Sequence, residues 1–164
     1  MAITVRNASP QDIPVILEIY NQAVLYRTCT ADIEPQSLED RTEWFEKRVH
    51  NGYPVFVALD GDLVVGWASY GPYHTRPGYR FTVENSVYVH QDHQGRSIGR
   101  QLLQPLLQHA KVNGIHSIMA VIDAENIPSM KLHASEGFVE AGRYRELVFK
   151  FDRWLDVVVM QILL

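Results

Sequence analysis

The sequence predicts an α/β protein in which a central mixed sheet carries helices on both faces. Three observations lead to this fold class. Segments in which apolar and polar residues alternate are interspersed with segments whose apolar residues recur at helical spacing. Their order along the chain is β-α-α-β-β-β-α-β-α-β-β, which is typical of a mixed sheet. The 164 residues are enough for one substantial core, so residues 1–164 are expected to form one domain.

A strand and a helix are predicted at the N-terminus. Residues 3–6 form the strand, and Ser9-Pro10 is typical of an N-cap followed by proline at the first helical position. The buried face of the helix is expected to contain Ile13, Ile16, Leu17, Tyr20, Ala23 and Val24. The loop at 26–35 lacks periodicity, and its first side chains could reach a binding cleft or could only cover the core.

A second helix and a hairpin follow. Ser37 and Asp40 can begin the helix. Its buried face is expected to consist of Trp44, Phe45 and Val49. The sequence Asp60-Gly61-Asp62 predicts a tight turn between strands at 55–59 and 63–70.

The centre of the chain combines a strand, a polar turn and an amphipathic helix. Residues 83–89 alternate and are rich in β-branched side chains, and the polar turn spans 90–96. The helix is expected to bury Ile98, Leu102, Leu103, Leu106, Leu107 and Ala110. Pro105 lies inside this helix, where it costs about 3 kcal/mol relative to alanine, so we expect a kink or a later helix start.

The last third of the chain predicts a strand, a short helix and two further strands. The strand at 116–122 is apolar and is expected to be covered on both faces. The helix at 127–135 and a strand at 138–144 follow. The apolar tail, 154–164, predicts a final strand that is either buried on both faces or paired with another subunit.

Charge and composition limit the possible functions. The formal net charge of -4 argues against a nucleic-acid-binding surface, because there is no basic excess to displace counterions. The single cysteine, Cys29, cannot form an internal disulfide, and no apolar run reaches the length of a membrane span. We therefore expect a cytoplasmic protein without nucleic-acid or membrane partners.

A strand that leads into a glycine-containing turn and a helix is a phosphate-binding arrangement. The first N–H groups of a helix lack internal partners, and the helix dipole favours an anion beside them. The turn here reads Gln94-Gly95-Arg96-Ser97-Ile98-Gly99. It contains neither the Gly-Lys-Ser/Thr of a P-loop nor Gly-x-Gly-x-x-Gly. An ordinary helix start, with Ser97 as the N-cap, explains these residues equally well.

The turn resembles the Gln/Arg-x-x-Gly-x-Gly/Ala loop of the GCN5-related N-acetyltransferases (GNAT), and the element order resembles the GNAT acyl-CoA N-acyltransferase fold along nearly the whole chain. In that family the loop holds the pyrophosphate of acetyl-CoA, and the preceding strand splays from the next one to pair with pantetheine. Ser97 stands where the family usually has glycine, so a non-glycine backbone conformation is expected there. The implied cofactor-binding residues are Val87, Tyr88, Val89, Gln94, Gly95, Arg96, Ser97, Ile98, Gly99, Arg100 and Asn126.

The run Thr82-Val83-Glu84-Asn85-Ser86-Val87-Tyr88-Val89 resembles that of the phosphinothricin and methionine-sulfoximine N-acetyltransferases. This resemblance implies that Glu84 is the catalytic base that accepts the amine proton, directly or through water. From the residues alone, Glu84 is interpreted as a solvent-facing strand residue or as a buried partner of Arg80.

Asn126 and His133 form a second candidate pair. From the residues alone, Asn126 can cap a helix and His133 can simply pack. In the broad family an asparagine here contacts pantetheine, and a tyrosine seven residues later protonates the leaving thiolate. His133 holds the tyrosine position, as in the phosphinothricin branch, so a catalytic acid or base is implied, although it could only line the cleft.

Candidate acceptor-binding residues lie before and within the central strand. Arg76 and Arg80 could bind a carboxylate bidentately, although each alone is more often a surface residue. The full set of acceptor candidates is His74, Thr75, Arg76, Arg80, Glu84, Asn85 and Ser86. His90 and His93 have the spacing of a metal pair but lack neighbouring acidic or cysteine ligands, so no metal is expected.

The resemblance implies an acetyl-CoA-dependent N-acetyltransferase that acts on the α-amino group of a small amino acid by direct attack in a ternary complex. Methionine sulfoximine and methionine sulfone are the implied acceptors, with phosphinothricin as a further candidate. A peptide or protein N-terminal acetyltransferase and a non-catalytic acyl-CoA-binding module are the alternatives. A homodimer is expected from the resemblance and from the apolar tail.

Overall fold

A computed structural model describes residues 2–164, which form one seven-stranded sheet and four α-helices. The strands are β1 (Ile3–Asn7), β2 (Val55–Asp60), β3 (Leu63–Pro72), β4 (Thr82–Val89), β5 (Ser117–Asp123), β6 (Val139–Lys150) and β7 (Arg153–Leu163). The helices are α1 (Ile13–Tyr26), α2 (Leu38–His50), α3 (Ile98–Val112) and α4 (Ile127–Ser135). The predicted element order and the mixed-sheet fold class are confirmed. Within residues 2–164, none of these helices is long and apolar enough to cross a membrane.

The strand order in the sheet is β1-β2-β3-β4-β5-β7-β6. Strands β4 and β5 are parallel, whereas the other neighbouring strands pair antiparallel. The parallel pairing is short, because it begins at Thr82 opposite Ser117 and ends at Glu84 opposite Met119. The rest of β4 therefore continues without a strand partner on its β5 side.

The final strand lies inside the sheet. Strand β7 is paired with β5 on one side and with β6 on the other, and its central residues are buried. Of the two alternatives for the apolar tail, burial within the sheet of the same chain is therefore the one observed. Strand β6, rather than β7, forms the edge of the sheet.

Strand β6 is longer than its predicted range of 138–144. Its pairing register with β7 shifts between Tyr144 and Val148. Within this irregularity Glu146 has a positive φ of 49°, and its N–H donates to the carboxylate of Asp156 at 2.8 Å. A shift of register breaks the alternation by which a strand is recognised in sequence, which explains why the prediction stopped early.

The two faces of the sheet are covered by different helices. Apolar residues of α3 and α4 pack with the core strands on one face, and residues of α1 and α2 pack with Val55, Val57, Val64 and Trp67 on the other. The predicted buried face of α3 is confirmed, except that Leu107 is only partly buried. In α1, Leu17 was predicted to be buried but is only half-buried. Ile19, which was not predicted in the core, is buried instead.

Helix α3 is continuous from Ile98 to Val112 although it contains Pro105. The expected later start was therefore wrong. Proline has no N–H, so the carbonyl of Gln101 loses its helical partner. Burial of the side chains of Ile98, Leu102, Leu103 and Leu106, at about 1.5–3 kcal/mol each, outweighs the proline cost of about 3 kcal/mol.

Helix α2 begins as predicted but packs differently. Ser37 is its N-cap and forms a capping box with Asp40. Val49, expected in the core, is 57% exposed, whereas Arg41 is 2% exposed. The Arg41 guanidinium carbon lies 4.1 Å from the ring centre of Tyr20 and 4.5 Å from that of Trp44. Cation–π contacts therefore allow an arginine to take a core position on this helix.

Candidate active site

The gap between β4 and β5 is the central feature of the site. The backbone N–H of His90 donates to the carbonyl of Val65 at 2.9 Å. Since hydrogen bonding alternates along an antiparallel strand, the even-numbered residues of β4 bond to β3 and the odd-numbered residues face β5. Beyond Glu84 no β5 partner meets them. The backbone groups that face the gap belong to Asn85, Val87 and Val89.

A cavity of about 930 Å³ opens at the mouth of this gap. It lies between the end of β4, the beginnings of α3 and α4, and the loop that follows α1. Ten of the eleven predicted cofactor residues line this outer cavity, namely Val87, Tyr88, Val89, Gln94, Gly95, Ser97, Ile98, Gly99, Arg100 and Asn126. Arg96 is the exception, because its guanidinium turns to Asp60 and donates to the carboxylate at 2.6 Å.

The beginning of α3 presents unpaired N–H groups to the outer cavity. Gln101 is the first residue of the helix whose N–H has a backbone partner, the carbonyl of Ser97 at 3.2 Å. The N–H groups of Ile98, Gly99 and Arg100 precede it at the positive end of the helix dipole. Such a helix start is suited to bind a phosphate.

Ser97 adopts a left-handed backbone conformation, with φ 59° and ψ 18°. The expectation of a non-glycine conformation was therefore wrong, because this region favours glycine. The hydroxyl of Ser97 makes no capping hydrogen bond, so the side chain does not serve as an N-cap. The chain keeps the backbone geometry of a glycine at this position and bears the strain of a Cβ.

A second cavity, of about 300 Å³, continues inward from the first. The two share lining residues from β4, from the end of β5 and from α4. The predicted residues Glu84, Asn85, Ser86 and His133 line this inner cavity. Val121 also lines it and is 43% exposed, so the strand predicted at 116–122 is not covered on both faces at this point.

Glu84 is a half-buried carboxylate without a protein partner. Within residues 2–164 it makes neither an ion pair nor a side-chain hydrogen bond. The predicted alternative of a pair with Arg80 is wrong, since Arg80 donates to the carbonyl of Pro77 and stacks on Phe81. Burial raises the pKa of Glu84, and the charge of Arg48 opposes this shift. A carboxylate with a raised pKa is better matched to proton transfer near neutral pH.

His133 is 4% exposed, and both its ring nitrogens are engaged. Nδ1 lies 2.8 Å from the carbonyl oxygen of Ser129, which can only accept, so Nδ1 carries the proton. Burial lowers the pKa of His133, which favours the neutral ring. The unprotonated Nε2 then accepts from the side-chain amide of Asn85 at 2.9 Å. No ring N–H is thus left to point into the cavity.

This tautomer fixes the orientation of Asn85. Because Nε2 of His133 needs a donor, the amide nitrogen of Asn85 faces the ring and Oδ1 faces away. Asn85 is 8% exposed, and its Oδ1 is buried without a hydrogen-bond partner in the described part of the chain. The inner cavity therefore contains an acceptor atom that is held in place and left unpaired.

Asn126 both caps a helix and lines the site. Its Oδ1 accepts from the N–H of Ser129 at 3.2 Å at the start of α4, and it lines both cavities. The loop after α1 also reaches the site, because Arg27, Thr28 and Cys29 line the outer cavity. The hydroxyl of Thr28 donates to the carboxylate of Asp123 at the end of β5, so this loop is tied across the gap.

The four predicted acceptor residues that precede β4 lie outside both cavities. His74, Thr75, Arg76 and Arg80 are exposed in the loop between β3 and β4 and line neither cavity. His90 contacts Gln22, and His93 contacts Arg96. Among residues 2–164, no group of three or more His, Cys, Asp and Glu side chains is arranged to hold a metal ion.

Sequence reasoning missed Arg48, whose charge acts on Glu84. A signal was present, because Arg41, Trp44, Phe45 and Arg48 recur at the spacing of one helix face. Arginine at such positions reads as a solvent-exposed residue unless aromatic neighbours are taken into account.

The family model described as acetyltransferase (GNAT) domain matches residues 5–159. The chain belongs to the GNAT acetyltransferase family. The L-methionine sulfoximine/L-methionine sulfone acetyltransferase of Pseudomonas aeruginosa is 42% identical over 163 residues, covering 99% of this chain and 95% of that protein. The family expected from the Gln94–Gly99 loop and the element order is confirmed.

Two solved structures of similar chains agree with this assignment. The structure of yncA from Salmonella typhimurium with its cofactor acetyl-CoA is 39% identical, with a TM-score of 0.97, and the match covers 99% of this chain and 94% of that chain. The ribosomal-protein-alanine N-acetyltransferase from Brucella melitensis is 41% identical, with a TM-score of 0.96, and the match covers 98% of this chain and 99% of that chain. Acetyl-CoA is the co-substrate of GNAT enzymes.

The strain at Ser97 predicts a stabilising substitution. Ser97→Gly should raise the free energy of unfolding by about 1 kcal/mol, because glycine adopts a positive φ without a Cβ clash. Gly95→Ala is the matched control and should lower the free energy of unfolding. Gly95 has φ 76°, and the space around its Cβ position is open, so only the backbone strain changes. Urea denaturation measures both. A loss of stability in Ser97→Gly would contradict the left-handed assignment.

The contacts of His133 predict its protonation state. Its 15N shifts should report a neutral ring with the proton on Nδ1, and its pKa should lie below the usual value of about 6.5. Because the folded state then binds fewer protons than the unfolded state, the contribution of His133 to stability is complete above about pH 6.5 and declines as the pH falls below it. Exposed His116 is the reference resonance. A proton on Nε2 would refute the proposed orientation of Asn85.

Proposed function

We propose that this GNAT protein is an acetyl-CoA-dependent N-acetyltransferase that acetylates the α-amino group of small amino acids. The observation that carries the proposal is the parting of β4 and β5 just beyond Glu84. This parting leaves a free strand edge for an extended ligand and a half-buried carboxylate where the gap closes. Methionine sulfoximine and methionine sulfone are the acceptors we propose first, because the similar Pseudomonas aeruginosa enzyme bears their names.

The residues around the outer cavity fit acetyl-CoA. The N–H groups of Ile98, Gly99 and Arg100 suit the pyrophosphate. The gap-facing backbone groups of Val87 and Val89 suit the amides of the pantetheine arm, which would add to β4 as a further strand does. Acetyl-CoA supplies the acetyl group as an activated thioester.

Glu84 is the proposed proton acceptor. The acceptor amine must be neutral to attack, and Glu84 can take its proton directly or through a water molecule. As the new C–N bond forms and the C–S bond breaks, gap-facing N–H groups of β4 can stabilise the charge on the carbonyl oxygen. The thiolate then leaves. His133 in its neutral form positions Asn85, so its proposed role is to organise the cavity rather than to protonate sulfur.

The size of the inner cavity, about 300 Å³, favours a small acceptor. A second candidate, a peptide or protein N-terminus, is favoured by the name of the similar Brucella melitensis structure. An acceptor panel assayed by thiol release separates the two. Methionine sulfone, methionine sulfoximine and phosphinothricin should release thiol, whereas alanine-initiated peptides should react more slowly. Faster peptide acetylation would support the second candidate, and thiol release with none of these amines would overturn both.

Substitution of the proposed base gives a direct test. Glu84→Gln should lower kcat about 10²- to 10⁴-fold, because a general base contributes this much, while calorimetric affinity for acetyl-CoA persists. In the wild type, kcat/KM should fall as the pH drops through the raised pKa of Glu84, since only the carboxylate accepts a proton. Glu46→Gln on the exposed face of α2 is the control. Full turnover of Glu84→Gln at neutral pH would exclude Glu84 as the base.

A homodimer through the β6 edge is the proposed assembly. Four large apolar residues of β6 are at least half exposed, namely Val139, Tyr144, Leu147 and Phe149, and so are Phe151 and Trp154 at the turn into β7. Exposed apolar strand edges are normally covered. A cytoplasmic location is proposed alongside, because it would keep the free thiol of Cys29 reduced.

Sedimentation tests the assembly. The wild type should sediment as a dimer at micromolar concentration, and Leu147→Asp should shift it towards the monomer, because a charge would enter an apolar contact. Leu63→Asp is the matched control, since Leu63 and Leu147 are both 55% exposed and Leu63 lies at the start of β3. A monomeric wild type would disprove the dimer.

A further inference from the structure

The charge of Arg27, the first residue after α1, is not neutralised by any acidic side chain of residues 2–164. Four cations line the outer cavity, namely Arg27, Arg100, Lys131 and Arg153. Arg100 donates to Glu136 at 2.6 Å, and Arg153 donates to Glu125 at 2.7 Å. Arg27 and Lys131 are thus the two cations of this cavity whose charge the described residues leave available to a bound anion.

The guanidinium of Arg27 reaches the turn that precedes α3. Its two terminal nitrogens each lie 3.3 Å from the side-chain amide oxygen of Gln94. The oxygen is the amide atom that faces them, because guanidinium nitrogens can only donate. This acceptor is neutral, whereas a phosphate is charged and can accept two parallel bonds from the guanidinium. An anion bound at the turn is therefore a better partner for Arg27 than Gln94 is.

Arg27 also changes the electrostatics at the end of α1. The last two turns of this helix line the outer cavity through Ile19, Gln22, Ala23 and Tyr26. The final carbonyls of a helix carry the negative end of its dipole, which disfavours a nearby anion, and a cation beside them opposes this effect. Since α1 and α3 cover opposite faces of the sheet, Arg27 approaches the cavity from the side that the N–H groups of α3 do not.

The segment that follows Arg27 is fastened to distant strands. Thr28 donates to the carboxylate of Asp123 at the end of β5. The Nζ of Lys150, at the end of β6, donates to the carbonyl of Thr30 at 2.9 Å. The backbone is therefore held in place, whereas the side chain of Arg27 is exposed. A fixed backbone that bears a movable guanidinium suits a residue that closes on a ligand after the ligand has entered.

We propose that Arg27 closes on the pyrophosphate of acetyl-CoA, so that the two phosphates are held between this guanidinium and the start of α3. Gln94 keeps the guanidinium beside the turn, and the pyrophosphate takes the place of its amide when the ligand binds. This inference rests on the proposed pyrophosphate site at the N–H groups of residues 98–100. It adds a side chain from the loop after α1 to that site.

Calorimetry with two forms of the coenzyme tests the inference. Coenzyme A and 3′-dephospho-coenzyme A share the pyrophosphate, but only the former has a 3′-phosphate. For Arg27→Met, Kd should rise about 10- to 100-fold with both ligands, as when a charge-assisted hydrogen-bonded partner is removed. Lys111→Met is the matched control, because it removes one exposed positive charge from the last turn of α3, outside the outer cavity. It should leave both Kd values unchanged.

A second variant keeps the test independent of any folding defect. Arg27→Lys keeps the charge but not the bidentate geometry, so its Kd values should fall between those of the wild type and of Arg27→Met. Thermal unfolding of both variants without ligand should match that of the wild type, because the side chain of Arg27 is exposed.

The outcomes separate the inference from the proposed function. A loss with both ligands supports the inference. A loss confined to coenzyme A would place the guanidinium at the 3′-phosphate and overturn it, and so would unchanged Kd values or an equal loss in Lys111→Met. A wild type that binds coenzyme A but acetylates no amine would overturn the proposed function and leave the inference standing. A wild type without affinity for coenzyme A would overturn both.

Discussion

The site depends on one constraint, namely that β4 and β5 pair at only three positions and then part. Buried backbone groups without partners cost about 1–3 kcal/mol each, so a gap of this kind persists only where the surrounding structure holds both strands in place. Strand β4 is held along its length by β3, and β5 by β7. The resulting strand edge is a template for an extended ligand, and the loop at Gln94–Gly99 and the start of α3 lie at its open end.

At the closed end of the gap, the side chains on one face of the sheet are neutral and those on the other face are charged. On the face covered by α4, neutral His133 and Asn85 form a closed hydrogen-bonded pair that leaves one oriented acceptor atom. On the face covered by α2, Glu84 and Arg48 are charged and remain unpaired with each other. The inner cavity is therefore lined by the amide of Asn85 from one face and by the carboxylate of Glu84 from the other. Such preorganised groups need little rearrangement during a reaction.

Long periodic segments could be predicted from the sequence, and local geometry and distant contacts could not. The order of strands and helices and the buried face of α3 follow from repeated apolar spacing, which a single sequence contains. The left-handed backbone of Ser97 was missed because residue type alone favours an ordinary conformation there. Arg48 was missed because arginine is usually exposed, and its effect on Glu84 depends on how α2 packs against the sheet. Arg76 and Arg80 lie in an exposed loop that lines neither cavity, so their role in acceptor binding stays a prediction.

The position of Cys29 has a consequence for the redox behaviour of the protein. Its side chain lines both cavities, where the free thiol of coenzyme A would be produced. Burial raises the pKa of the Cys29 thiol, which keeps it protonated and a weak nucleophile at neutral pH. Thiol–disulfide exchange requires a thiolate. A protonated Cys29 therefore exchanges only slowly with a disulfide of coenzyme A.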